Sequence, residues 1–206
     1  GTLTPEEAMM PFPTVLGHEG VGEIIQVGNK VRYLKLGEHY IRPDTSKWYG
    51  KYSCTFGTMS EYAVAVDRQA MIEDGIPAEQ MPDEGKCGRI PEDISYEDGA
   101  VMLSMLECIS AVHNFGLKEG MKVLIYGAGP MGMGVANYLQ IIGAHPVLVD
   151  GIQQRLDYAD ERFGIKETIN IQKQKLSEVY AQGSFDAVMD IVGSTKILLE
   201  GTNYLK

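Results

Sequence analysis

Along the second half of the chain, apolar runs alternate with amphipathic stretches, one strand length and then one helix length at a time. Val123, Leu124, Ile125 and Tyr126 run without interruption into glycine, and an apolar helical pattern follows at once. Pro146 to Val149 make a second run, ended by Asp150. Beyond it the pattern predicts an amphipathic helix over 153–163, a short strand over 167–171, a helix around 176–182, a strand over 185–192 and a last segment holding Ile197, Leu198 and Leu199. Alternating strands and helices imply a parallel, doubly wound α/β sheet. Its expected strand order is 3-2-1-4, the first half of a dinucleotide fold plus one strand.

The first half carries a different pattern and reads as β-rich. Val21, Glu23, Ile25 and Val27 fall on one side of a strand that ends at a Gly28, Asn29 turn. Strands are also predicted over 34–42 and 60–66, where Tyr62, Val64 and Val66 alternate with Glu61, Ala63 and Ala65. Residues 1–13, with prolines at 5, 11 and 13, read as an entering loop, and the acidic stretch 73–88 as a surface excursion. The loop 43–57 is polar and aromatic by turns. Its Trp48, Tyr49, Tyr52 and Phe56 either line a substrate pocket or pack on the surface of the β domain. Ser95 with Asp98 opens a helix, and a further helical stretch runs to about Phe115, stopped by Gly116 and Gly120. The domain boundary is expected near 107–114, giving domains 1–110 and 111–206.

Composition narrows the partners. A formal charge of −10 and the lack of Lys and Arg clusters exclude a nucleic-acid surface or an anionic membrane surface. No apolar run is long enough to span a bilayer. Cys54, Cys87 and Cys108 are odd in number and far apart, and no secretory segment opens the chain, so a reducing cytoplasm is expected.

The chemistry concentrates where the pattern changes from strand to helix. Gly127, Gly129 and Gly132 follow the spacing G-x-G-x-x-G, with Pro130 and Met131 between the last two. The first suits a tight turn, the second would let backbone approach a pyrophosphate, and the third would let helix and strand pack closely. Phosphate would sit at the helix N-terminus. Asp150 lies 23 residues after Gly127, where an acid can hold an adenosine ribose.

Together with Gly17, His18, Glu19 and Gly20, with Gly37 and Glu38, with Glu61 and Tyr62, with Leu106 and Glu107, and with Phe185 to Asp190 followed by Val192 and Gly193, the glycine turn resembles the zinc-containing medium-chain dehydrogenases. The sorbitol, threonine and alcohol dehydrogenase branches look nearest, and the matched columns run from about Pro11 to Ser194. The resemblance implies a GroES-like catalytic domain followed by a Rossmann domain. It implies zinc held by His18, Glu19 and Glu107, which are also the catalytic positions, with Cys108 one residue off the Glu107 column as a fallback ligand. It implies a dinucleotide held by Gly127, Gly129, Pro130, Met131, Gly132, Asp150, Arg155, Val192 and Gly193. Asp150 favours NAD over NADP, because a 2′-phosphate beside it would be repelled.

The activity so implied is zinc-assisted, NAD-dependent oxidation of a secondary alcohol or polyol to a ketone, in a homodimer or homotetramer of the full-length protein. Two alternatives stand beside it: a zinc-free, NADPH-dependent enone or quinone reductase of the same superfamily, and a catalytically silent fragment that binds a dinucleotide or a partner. The family's first zinc ligand, a Cys followed by Ser or Thr, has no counterpart among the residues before His18. A strand over 185–192, apolar on both faces, would leave an open sheet edge. Both features lead us to expect that these residues are part of a longer chain.

Overall fold

The computed structural model describes residues 14–41, 53–54, 58–81 and 88–206. The aromatic residues Trp48, Tyr49, Tyr52 and Phe56 and the entering segment 1–13 lie outside the described residues, as does Cys87. The chain forms two compact units, Gly1–Leu103 and Ser104–Lys206. None of the described helices is long and apolar enough to cross a membrane.

The first unit carries β1 (Thr14–Val15), β2 (Val21–Glu23), β3 (His39–Ile41), β4 (Ser53–Cys54), α1 (Arg68–Glu73) and β5 (Gly88–Ile90). β1 pairs in parallel with β4, while β2, β3 and β5 form an antiparallel sheet in that order. These strands are shorter than the alternation predicts, and the reasons are local. The run from Val21 stops at Glu23 because Ile24 turns inward, donating to Glu38 O at 2.9 Å and accepting from Gly37 N at 2.9 Å. Ile25 and Val27 are left exposed. Gly37, at φ +84°, closes a turn that consumes the front of the strand expected over 34–42.

No named strand forms over 60–66, where Tyr62 is 56% and Val64 51% exposed. Alternation stabilises a strand only where one face has something to pack on, and these two side chains are not buried. One helix escaped the pattern: α1 is fixed by Asp67, whose Oδ1 accepts from Ala70 N at 3.1 Å. Its Oδ2 accepts from Arg32 N and Tyr33 N, both at 2.7 Å, tying a loop 34 and 35 residues away to the helix start.

The helix α2 (Tyr96–Asn114) opens as expected, with Asp98 N donating to Ser95 Oγ at 3.0 Å and Ser95 Oγ donating to Asp98 Oδ2 at 2.9 Å. Gly116 at φ +67° follows its end. The second unit then alternates β6 (Lys122–Tyr126), α3 (Pro130–Ile141), β7 (His145–Asp150), α4 (Gln153–Phe163), β8 (Thr168–Asn170), β9 (Ala187–Asp190) and α5 (Thr195–Thr202). All four strands are parallel, in the order β8-β7-β6-β9, which is the 3-2-1-4 order expected.

The side chains of β6 alternate between two cores. Val123 and Ile125 join Val135, Leu139, Leu148 and Leu156 on one face; Leu124 and Tyr126 join Val147, Val149, Ile169 and Phe185 on the other. Each fully buried aliphatic side chain contributes about 1.5–3 kcal/mol relative to exposure, so the central strands anchor this unit.

Two elements of this half differ from the pattern. The helix expected over 176–182 is a single 3-10 turn, Leu176–Glu178. Tyr180 is drawn out of it, its ring 4.9 Å from that of Phe185 and its hydroxyl donating to Glu167 Oε2 at 2.7 Å. The strand expected over 185–192 is ordered as strand only over Ala187–Asp190. Its entry is covered by residues 204–206, with Phe185 N donating to Tyr204 O at 2.9 Å and Lys206 N to Phe185 O at 3.0 Å. The close approach of α5 is set by Gly201, where a Cβ would lie 2.7 Å from Val188 Cγ1.

Candidate dinucleotide site and the Gly-His-Glu turn

The glycine turn leaves β6 and enters α3 in three residues, Gly127, Ala128 and Gly129. Gly127 takes φ +103°, a conformation that disfavours side chains, and its N–H donates to Val149 O at 2.7 Å. Gly132 is required by contact: a Cβ there would stand 1.8 Å from Gly127 O. Around Gly129 nothing lies within 4 Å of the Cβ position, so the backbone stands open to a ligand. Gly129 is the N-cap of α3 and offers no side-chain acceptor, and Pro130 follows at the first helical position. The first-turn amides of α3 have no intrahelical acceptor and point outward with the positive end of the dipole. That cradle fits a phosphate group.

Asp150, 9% exposed, ends β7 beside this turn. Its Oδ2 accepts from Ala128 N at 2.7 Å and its Oδ1 from Ile152 N at 2.8 Å. Each oxygen retains acceptor capacity, since a carboxylate offers about four lone-pair sites. Arg155, half exposed on the first turn of α4, places Nη1 at 3.6 Å from Asp150 Oδ2. Met131 turns partly inward against the core, where Cys108 Sγ lies 3.5 Å from its carbonyl oxygen and 3.9 Å from its sulfur.

On the other side of β6 the strand β9 ends in Asp190, which the sequence marks only as the end of a run carrying the family likeness, with no role of its own. Its Oδ1 accepts from Val192 N at 2.9 Å and Gly193 N at 3.0 Å, and its Oδ2 from Ser194 N at 2.9 Å. Val192 Cγ2 would lie 3.0 Å from a Cβ on Gly127, so the loop after β9 and the glycine turn are neighbours. The signal was present: an acid closing an apolar strand just before a glycine, as at Asp150.

The Gly-His-Glu turn belongs to the first unit. Gly17, at φ +93°, would bring a Cβ to 2.6 Å from Thr58 Oγ1, and a Cβ on Gly20 would meet Thr58 Cβ at 2.9 Å. Thr58 N donates to Gly17 O at 3.2 Å and Thr58 Oγ1 to Glu19 O at 2.7 Å. The glycines thus let Thr58 lock the turn, which holds His18 and Glu19 with their side chains exposed.

Glu107 is half-buried on α2, in the second unit. Its neighbour Cys108 is buried within the core, and its thiol pKa is pushed up by that burial and by the Glu107 charge. Such a thiol is an inert packing residue. Among the described residues, no three His, Cys, Asp or Glu side chains gather closely enough to hold a metal ion.

Residues 2–77 match the family model of the Alcohol dehydrogenase GroES-like domain. The chain is 28% identical over 173 residues to the sorbitol dehydrogenase of Bombyx mori, covering 81% of this chain and 48% of that protein. It is 29% identical over 195 residues to the L-threonine 3-dehydrogenase of Idiomarina loihiensis, covering 89% and 55%. Among solved structures it resembles the 2R,3R-butanediol dehydrogenase from Bacillus subtilis, with a TM-score of 0.67, 23% identity and coverage of 95% and 56%. The chain therefore spans about half the length of the curated relatives it matches. A GroES-like part followed by a parallel sheet with helices defines the class of fold, and the chain is similar to the medium-chain dehydrogenases/reductases.

Proposed function

We propose that the protein carrying this chain is an NAD-dependent dehydrogenase that oxidises a secondary alcohol or polyol to a ketone. Residues 1–110 serve as its catalytic part and 111–206 as its dinucleotide-binding part, and it works in the cytoplasm as a homodimer or homotetramer. The observation that carries the reading is the bare helix start at Gly129, opened by a turn in which Gly132 leaves no room for a Cβ. The sorbitol and threonine dehydrogenases among its relatives support an alcohol as the substrate class.

The bound dinucleotide supplies the hydride acceptor. The chain's own residues bind and orient it: the amides of Met131 and Gly132 face the pyrophosphate, and Asp150 accepts from the ribose hydroxyls. Arg155, with Val192 and Gly193, completes the contacts. Because the Asp150 carboxylate would repel a 2′-phosphate, NAD is preferred to NADP.

The family likeness also implies zinc on His18, Glu19 and Glu107. Imidazole and carboxylate are donors that zinc takes, so these three side chains would hold it, and the metal would supply a Lewis acid that polarises the alcohol oxygen.

Calorimetric titration of the chain with NAD and NADP tests the reading. Binding of NAD about tenfold or more tighter than NADP is expected from charge repulsion at Asp150, and equal or reversed affinities would sink it. Zinc content of the same preparation separates the chemistries: one equivalent per chain supports metal assistance, and none favours metal-free reduction of an enone or quinone.

A further inference from the structure

β7 and β9 flank β6, and each ends in an aspartate that bonds to the backbone of the loop beyond it. Asp150 reaches into the glycine turn itself through Ala128 N. Asp190 instead gathers three consecutive amides, those of Val192, Gly193 and Ser194, around one carboxylate within 3.0 Å. The loop is wound back on its own strand end, with Gly193 at φ +77°. Its amides face inward, and Val192 stands against Gly127 while remaining 56% exposed on its outer side.

This corner is where the order in which strands are added reverses, the strands themselves all running parallel. β6, β7 and β8 run one way in the order, and β9 lies on the other side of β6. Ligands of open α/β sheets occupy the crevice beyond the carboxyl ends of the strands at that switch point. One wall of the crevice is the turn held by Asp150, and the other is the loop held by Asp190.

We propose that Asp190 is a positioning residue for the dinucleotide. By fixing residues 192–194 it sets the wall along which the cofactor continues beyond the pyrophosphate, away from the adenosine end beside Asp150. This rests on the dinucleotide reading given above. A neutral Asn at 190 keeps the size of the side chain but turns one acceptor into a donor, so Ser194 N loses its acceptor while Val192 N and Gly193 N keep only an uncharged carbonyl.

The test is calorimetric titration of the full chain and its Asp190→Asn variant with two probes, NAD and AMP. AMP reaches only the Asp150 side. Asp190→Asn is expected to weaken NAD about tenfold, in keeping with the loss of charge-assisted hydrogen bonds, and to leave AMP within about twofold, a change of the size usual for a distant site. A purely structural role would weaken both probes alike, and no role would change neither; either result overturns the proposal while leaving the dinucleotide reading intact. Failure of the unmodified chain to bind NAD or AMP overturns that reading and the proposal with it. Should the Asn variant not fold, Val192→Ala keeps the Asp190 bonds and removes the methyl groups set against Gly127. The same split between NAD and AMP is then expected at about threefold, the effect of a lost apolar contact. An equal loss for both probes, or no loss, overturns the assignment.

Discussion

The two units use similar apolar residues to different ends. In the second, Val123 to Tyr126 and Val147 to Val149 are buried on both faces of a parallel sheet. In the first, Ile25, Val27, Tyr62 and Val64 reach the surface, and the strands are two or three residues long. A parallel sheet with both faces covered makes burial along the run the deciding term, so an apolar run locates its strand. A half-buried strand is decided by its neighbours and by turn chemistry. The described part of the first unit is held accordingly by backbone-directed polar groups, Thr58 at the Gly-His-Glu turn and Asp67 at α1.

The contrast can be broken most sharply at Gly132. Gly132→Ala sets a Cβ against Gly127 O, which only an opening of the turn relieves. A loss of more than about 4 kcal/mol is expected, at the extreme of point substitutions; a urea melt with an unchanged midpoint would mean the turn is looser than its geometry. Leu148→Ala, in the fully buried centre of β7, is expected to cost about 3 kcal/mol through lost burial and a residual cavity. A cost below about 1 kcal/mol would remove the distinction drawn between the units, since that is the range of ordinary surface changes.

In the first unit the sensitive position is polar. Burial pushes the Asp67 carboxyl up, but the amides of Tyr33, Arg32 and Ala70 outweigh it and hold the group below the usual carboxylate range. A depressed native pKa stabilises the fold above the unfolded value near pH 3.9. The stabilisation is lost as pH falls through the lower native value. Asp67→Asn is expected to cost about 1–2 kcal/mol at pH 7, the range for a lost helix cap. Melts taken from pH 7 down to pH 3 should show its gap from the parent narrowing; a constant gap would assign the effect to shape rather than charge.

The smallest change is expected at Tyr126→Phe. The Tyr126 hydroxyl is buried without a hydrogen-bond partner, and burial raises its pKa so that it stays neutral. Removing it should shift stability by less than about 0.5 kcal/mol or raise it, because no bond is lost and a desolvated group is. A clear loss in thermal melts would reveal a partner, such as a buried water.

Much of the candidate site was legible because its signals are local. The glycine spacing, the helix that follows and the acid ending the next strand all lie within one strand-turn-helix-strand passage. From its place Asp150 is expected to hold a ribose, and the structure shows it bonding Ala128 in the turn. Asp190 entered only as the end of the Phe185–Asp190 run, without a role, since its three amides show no pattern in residue type. The 60–66 run misled because alternation reports a preference for one buried face and not whether that face exists.

By itself the sequence determined the parallel sheet, its order, and the turns that only glycine can make. Those follow from side-chain size and periodicity, which act between residues close along the chain. The tertiary structure alone decided where the short strands of the first unit stop, that Cys108 faces the core, that residues 204–206 cover the entry to β9, and that two aspartates brace the crevice from either side of β6. Each of these turns on an atom brought close by folding, such as Met131 beside Cys108 or Tyr204 beside Phe185, and a linear pattern holds no record of such distances.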